Sequence, residues 1–414
     1  MLVLVLSLPV IFVIAAVFSA LGFGCAAAKF TRLPILDTDK LTEETLKLGA
    51  ECRGAKVGGA GLDVYSAVKS CEKAYSEIKG KIAGGTEPDE CETEFADGFR
   101  YVAEAGGGLR DIRFFRDLPH ADNVPRVYLF AELVLKSSGG YVSRDALVHY
   151  ASAFGEACPF DVAEADALPS AFTVAALDEC ARVAVAIINR NERIRAAQRD
   201  ALEEKIDVAR LSSAAYVKTL SELSEGKFRD EVVRICADNG FSVESREAEF
   251  YASVSRDKFA LSGALKTLRS SSRIFDRETV LSLSGAAARL KNARGYDMLT
   301  TGTKAYFLGK IADKSKREKT GEAGIAERIV SESQRETETW PNTSSPNPPA
   351  RFIFRFNGSQ TSAYGGRGGR RVVLLAHKFA VALLFVPSVY FVVKRLVERY
   401  AAAGVNLGFC RIFV

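Results

Sequence analysis

The chain has 414 residues, with 56 Lys and Arg against 51 Asp and Glu, for a formal net charge of +5. That mild excess does not by itself point to nucleic acid. Only His120, His149 and His377 occur, with no HExxH and no histidine cluster, which argues against a His-based metalloenzyme.

Residues 2–28 carry no charge. An apolar stretch over 2–23 is followed by Gly24, Cys25 and three alanines, then Lys29. Ala26 and Ala28 fall at the −3 and −1 positions of an A-x-A cleavage site, so 1–28 reads as a secretory signal peptide. The stretch is also long enough to span a bilayer and has no basic n-region, which leaves an uncleaved signal anchor as the alternative. Residues 29–339 then form the proposed ectodomain.

Within it, 42–52 begins with Thr42, Glu43 and Glu44, a helix start. Over 62–81, Val64, Ala67, Cys71, Ala74 and Ile78 recur at 3–4 spacing, predicting an amphipathic helix. Glycines at 106–108 and 139–140 mark loops, and 82–141 reads as a loop-rich insertion in which 127–134 is either strand or helix. A helix over 143–157 follows. No proline occurs from Ser170 to Trp340, and this Ala-, Leu-, Glu-, Lys- and Arg-rich stretch predicts long helices. Ile187, Ile194, Ala201, Val208 and Ala215 recur every seven residues, predicting one long bundle helix from Asp161 or Ser170 to Gly226. Arg190, Glu204 and Lys218 at d positions exclude a clean coiled coil. Further helices are expected over 228–237, 245–273, 276–294 and 303–336. The expected fold class is predominantly all-α: an elongated helical-bundle ectodomain with a loop-rich insertion.

Residues 340–371 form a Pro/Gly-rich stalk holding both sequons of the chain, at Asn342 and Asn357, the glycosylation candidates. Residues 372–393 form a second apolar run, interrupted by His377 and Lys378 and followed by Lys394 and Arg395. Its length fits a transmembrane helix. Basic residues flank both sides, so orientation rests on the signal peptide, which leaves 394–414 as a cytoplasmic tail.

Eight cysteines occur, of which Cys52, Cys71, Cys91, Cys158, Cys180 and Cys236 fall in the ectodomain. The even number permits three disulfides in fifteen connectivities, and the absence of CxxC spacing argues against zinc. Cys410 lies in the tail, where it is either a palmitoylation site or a thiol with no role. No nucleophile elbow, phosphate loop or dinucleotide fingerprint is present. The segment around Gly302–Lys310 has the wrong spacing, with Ile311 where a Ser or Thr is needed. No catalytic residue, cofactor or metal ligand is assigned. One basic–aromatic cluster, Arg110, Arg113, Phe114, Phe115 and Arg116, has the composition of a protein-contact hot spot and also that of an ordinary packed loop.

The layout resembles the invariant surface glycoproteins of trypanosomes. The features that carry the resemblance are the early helix over 41–52, the Cys-bearing helix over 62–81, the Pro-free helical region to Trp340 and the span over 372–393. The resemblance implies a helical-bundle ectodomain on a parasite surface, with receptor or host-protein-binding roles, and assigns no binding residue to a position here. The expectation is thus a type I single-pass glycoprotein of the plasma membrane, facing the cell surface. It is held in the bilayer through 372–393 and binds an extracellular protein, with no nucleic-acid partner. A non-binding shielding coat protein and a membrane-tethered enzyme are the alternatives.

Overall fold

The computed structural model describes residues 33–339, apart from 60, 110–112 and 294–295, together with the pair Cys25–Ala26. The rest of the expected signal peptide, the stalk with Asn342 and Asn357, the 372–393 span and the tail lie outside the described residues. Among the described residues, no helix is long and apolar enough to cross a membrane.

The described chain is predominantly α, with thirteen α-helices. Most open on a side chain that accepts from an otherwise orphaned N–H, as expected of Asp and Ser at the N-cap. Asp37 starts α1 (Thr38–Glu51), and Asp63 starts α2 (Val64–Ala83). Asp89 and Glu92 form a capping box at the head of α3 (Glu90–Gly108). Helix α4 (Arg126–Ser137) follows Pro125, and Ser143 caps α5 (Arg144–Ala157). The 41-residue α6 (Val162–Leu202) is the longest element. It is followed by α7 (Ala214–Leu223), α8 (Gly226–Asp238), the 32-residue α9 (Val243–Ile274), α10 (Arg277–Ser282), α11 (Gly285–Leu290), α12 (Thr301–Glu318) and α13 (Glu322–Thr339).

Strands are two or three residues long. The pair β1 (Cys25–Ala26) and β3 (Gly61–Leu62) is parallel, while β2 (Lys56–Val57), β4 (Pro119–Ala121) and β5 (Val124–Pro125) form an antiparallel sheet in the order β2-β4-β5. In that sheet, Lys56 lies opposite His120 and Val57 opposite Pro119.

Two cores form. The larger is built on α1–α6 and α9, with Phe130 at its centre, edge-on to Phe154, Phe160 and Phe172 at 5.2–6.0 Å between ring centroids. The smaller joins the end of α6 to α7 and α8 through Ala197, Leu211, Tyr216, Val217, Leu220 and Val232. Helix α6 serves both. Between Val174 and Ile188 nearly all of its side chains are buried, so its apolar positions run around the whole helix rather than down one stripe.

Several expectations are corrected. The 82–141 region is mostly helical: Gly106, Gly107 and Gly108 form the last turn of α3 rather than a loop, and 127–134 is helix. The 187–215 heptad does not run on one helix, because α6 ends at Leu202 and Glu204 turns with φ +48°. Helix α6 does start after Asp161, and Pro169 lies inside it. The stretches expected over 276–294 and 303–336 are each two helices, the second pair divided at Lys319, which adopts φ +53°.

Candidate functional site

The basic–aromatic cluster of 110–116 does not act as one surface. Arg110 lies outside the described residues, and of Arg113 only the backbone is described, in a 3-10 turn Arg113–Asp117. Phe115 is fully buried in the larger core. Its stacked neighbour Phe114, 4.4 Å away between centroids, is 38% exposed. The side chain of Arg116 packs over Gly61, where an added Cβ would stand 3.1 Å from Arg116 Nε. Phe114 is one of three exposed large apolar residues on this group of segments, with Val57 at 72% and Tyr65 at 75%. The Gly58 N–H donates to Leu118 O at 3.3 Å, and β2 pairs with β4, so the segments carrying Val57 and Phe114 are tied together.

Two buried charge clusters lie along α6. At its start, Arg126 of α4 donates through Nε and Nη2 to the two carboxylate oxygens of Glu164, through Nη2 to Pro159 O at 3.1 Å, and through Nη1 to Cys158 Sγ at 2.6 Å. A bidentate guanidinium–carboxylate pair of this kind fills most of both groups' hydrogen-bonding capacity. Glu164 also accepts from the Asp161 N–H at 2.9 Å. Beside it, Glu322 of α13 accepts from the Val162 N–H at 2.7 Å. Burial, with Asp161 and Glu164 adding negative charge, pushes the Glu322 carboxyl up to about 7.

The second cluster sits halfway along α6. Arg182 Nε donates to Glu179 Oε1 at 2.9 Å and Nη1 to Asp257 Oδ1 at 3.1 Å. Arg190 is paired with Asp257 at 3.7 Å and with Asp89 at 3.0 Å, the latter too bent for a hydrogen bond. Asn191 and Lys81 donate to the two oxygens of Glu92. Burial pushes Glu92 up, yet Lys81, Asn191 and the Asp89 N–H outweigh it and hold the carboxyl below its ordinary value. Tyr128 OH donates to Asp178 Oδ2, and burial pushes the Asp178 carboxyl up to about 7.

Unlike the first cluster, this one is incompletely satisfied. Ser137 Oγ, Asp178 Oδ1, Glu179 Oε2, Arg182 Nη2 and Arg190 Nε are buried with no hydrogen-bond partner among the described residues. Such groups are costly and call for water or a ligand. Beside them a cleft of about 510 Å³ is lined by Ile35, Lys136, Gly139, Glu179, Arg256 and Phe259. Its wall is set by a close approach: Gly139 and Gly140 turn with φ +76° and +89°, and an added Cβ on Gly263 of α9 would stand 2.0 Å from Gly139 O. These α6 charges were missed in the sequence, although Asp178, Glu179 and Arg182 stand inside the otherwise apolar 174–188 run, which is the signal that could have found them.

Cys52, Cys71, Cys91, Cys158, Cys180 and Cys236 are all buried. Cys236 lies in the smaller core and the other five in the larger. Cys71 and Cys91 are each pushed up to about 12 by burial. Among the described residues there is no group of three His, Cys, Asp or Glu that could hold a metal ion. Comparison with protein-family models gave no match, and comparison with curated proteins gave none either.

Proposed function

We propose that the chain is a single-pass cell-surface glycoprotein whose helical domain binds an extracellular protein. The exposed apolar trio of Val57, Tyr65 and Phe114 carries this reading. Large apolar side chains gathered on neighbouring exposed segments are characteristic of protein-contact surfaces, and aromatic residues are enriched at hot spots. Of the basic–aromatic cluster at 110–116, the trio keeps Phe114 and adds Val57 and Tyr65. The two uncharged apolar segments of the sequence, at 2–23 and 379–393 apart from their edges, support export and anchoring.

Topology and binding are tested separately. In the full chain expressed in a secretory host, removal of N-linked glycans increases gel mobility, and Asn342→Gln with Asn357→Gln abolishes that change. Absence of any glycan-dependent change, together with protection of 33–339 from protease added to intact cells, would overturn the topology. For binding, the full chain in detergent is presented to an array of individually purified extracellular proteins. Val57→Asp, Tyr65→Ser and Phe114→Ser are expected to lower binding at least tenfold. Leu202→Asp, at an 88% exposed position on α6, leaves it unchanged. Equal binding by all four variants would sink the assignment of this surface.

A further inference from the structure

Helices α1 and α5 end side by side. An added Cβ on Gly49, in the last turn of α1, would stand 2.7 Å from Phe154 O and 3.2 Å from Ala157 Cβ, so glycine lets the two backbones touch there. One turn on, Arg53 Nε donates to Ala157 O at 3.0 Å. Between these two contacts, the residue following each helix is a cysteine. Cys52 opens the 3-10 turn after α1, and Cys158 is the C-cap of α5. Both are buried in the larger core, and the Cys158 thiol donates to Cys52 O at 3.5 Å. Cys71 of α2 and Cys180 of α6 also lie near each other, but with no thiol contact between them like that of Cys158 on Cys52. Cys71 and Cys91 belong to α2 and α3, Cys180 to the middle of α6, and Cys236 to the smaller core.

We propose that Cys52 and Cys158 are joined by a disulfide that fastens the ends of α1 and α5 together. The proposal rests on the exported topology, since a secretory lumen supplies the oxidant, a disulfide of the glutathione or protein-dithiol class. The Cys158 thiolate attacks one sulfur of that disulfide, forming a mixed disulfide and releasing one thiol. The Cys52 thiolate then attacks the Cys158 sulfur, closing the protein disulfide and releasing the second thiol. Two electrons pass to the oxidant, and the two cysteine protons end on the released thiols. In the closed core, burial holds both thiols above their ordinary range, Cys52 at about 11, so oxidation belongs to the stage at which α1 and α5 dock. The link closes a loop across 106 positions, a span over which a crosslink strongly restricts the unfolded chain.

Two measurements test this. The full chain is isolated from secretory cells with thiols alkylated at lysis, digested without reduction, and mapped by mass spectrometry. In parallel, reduced and denatured full chain is refolded in detergent with a glutathione redox mixture and mapped in the same way. A peptide linking Cys52 to Cys158 is expected in both, and the faster non-reducing gel mobility it confers is lost in Cys52→Ser and in Cys158→Ser but kept in Cys236→Ser. If refolding gives the link and the cellular protein has Cys52 and Cys158 both alkylated, the pairing stands and the exported topology falls. Refolded helical protein in which Cys52 and Cys158 are both alkylated, or either is linked to another cysteine, overturns the pairing whatever the topology.

Discussion

The two buried charge clusters on α6 invite comparison because they share a helix and a degree of burial but differ in how completely they are satisfied. At the start of the helix, Arg126 and Glu164 meet through two parallel hydrogen bonds, with backbone partners taking up remaining capacity. Halfway along, Asp178, Glu179, Arg182 and Arg190 each keep an atom without a partner. Taking an ion out of water costs several kcal/mol, and good geometry with full hydrogen bonding is needed to offset it. The first cluster meets that condition and fixes how α4 and α6 join. The second leaves hydrogen-bonding capacity over, next to a cleft, which is the state expected of a place that takes up water or a polar ligand.

The largest effect should come from breaking the satisfied pair. Arg126→Ala strands the buried Glu164 carboxylate and is expected to cost about 3–5 kcal/mol in urea unfolding. Arg126→Met combined with Glu164→Leu should recover most of that loss, and a double variant as unstable as the single would show that the pair is worth more than its packing. Next comes the wall of the cleft. Gly263→Val forces α9 away from the Gly139 carbonyl and should cost about 1–3 kcal/mol by thermal melting.

The third test reads both clusters through pH. The Asp178 carboxyl is at about 7 in the folded protein against an ordinary 3.8, so the folded state holds the proton more tightly than the unfolded one. Its stabilising share is full below pH 4 and is lost as the pH rises to about 7, a change on the order of 4 kcal/mol. Glu322 acts with the same sign from its ordinary 4.5 up to about 7. Thermal midpoints should therefore fall between pH 5 and 7.5, and Asp178→Asn should flatten the fall. An unchanged slope in the variant would remove Asp178 from the account. The smallest effect belongs to the surface: Phe114→Ala should change stability by under about 0.5 kcal/mol, because its ring is already partly in water. A larger loss would place Phe114 in the core with Phe115 and weaken the binding surface.

What could be read in the sequence follows the same division. Composition, 3–4 spacing and end signals located α2, α5, α8 and α9 to within a few residues, because each has one buried face, three of them a side-chain N-cap, and α8 an Asn239-Gly240 stop. The loop assignment for 106–108 failed because three glycines there form the last turn of α3, where Gly106 lets the helix pack closely on Val68. The long helix was carried too far because Val208 and Ala215 continue the heptad across a break, the period being kept by a 3-10 turn over Val208–Arg210 and by α7. The α6 charges were hidden for a different reason. A sequence shows that Asp178 and Glu179 are charged, but not that helices α4 and α9 close over them.

The last described helix is tied back to the middle of the chain. Glu322 receives the first N–H of α6 across 160 positions, while Ile325, Ala326 and Ile329 of the same helix are buried. The link that precedes it, Lys319-Thr320-Gly321, is exposed, with Lys319 in a left-handed turn that presents a basic residue to trypsin. A cut there would sever the backbone without dislodging α13, leaving a nicked protein whose two fragments travel together until a denaturant parts them.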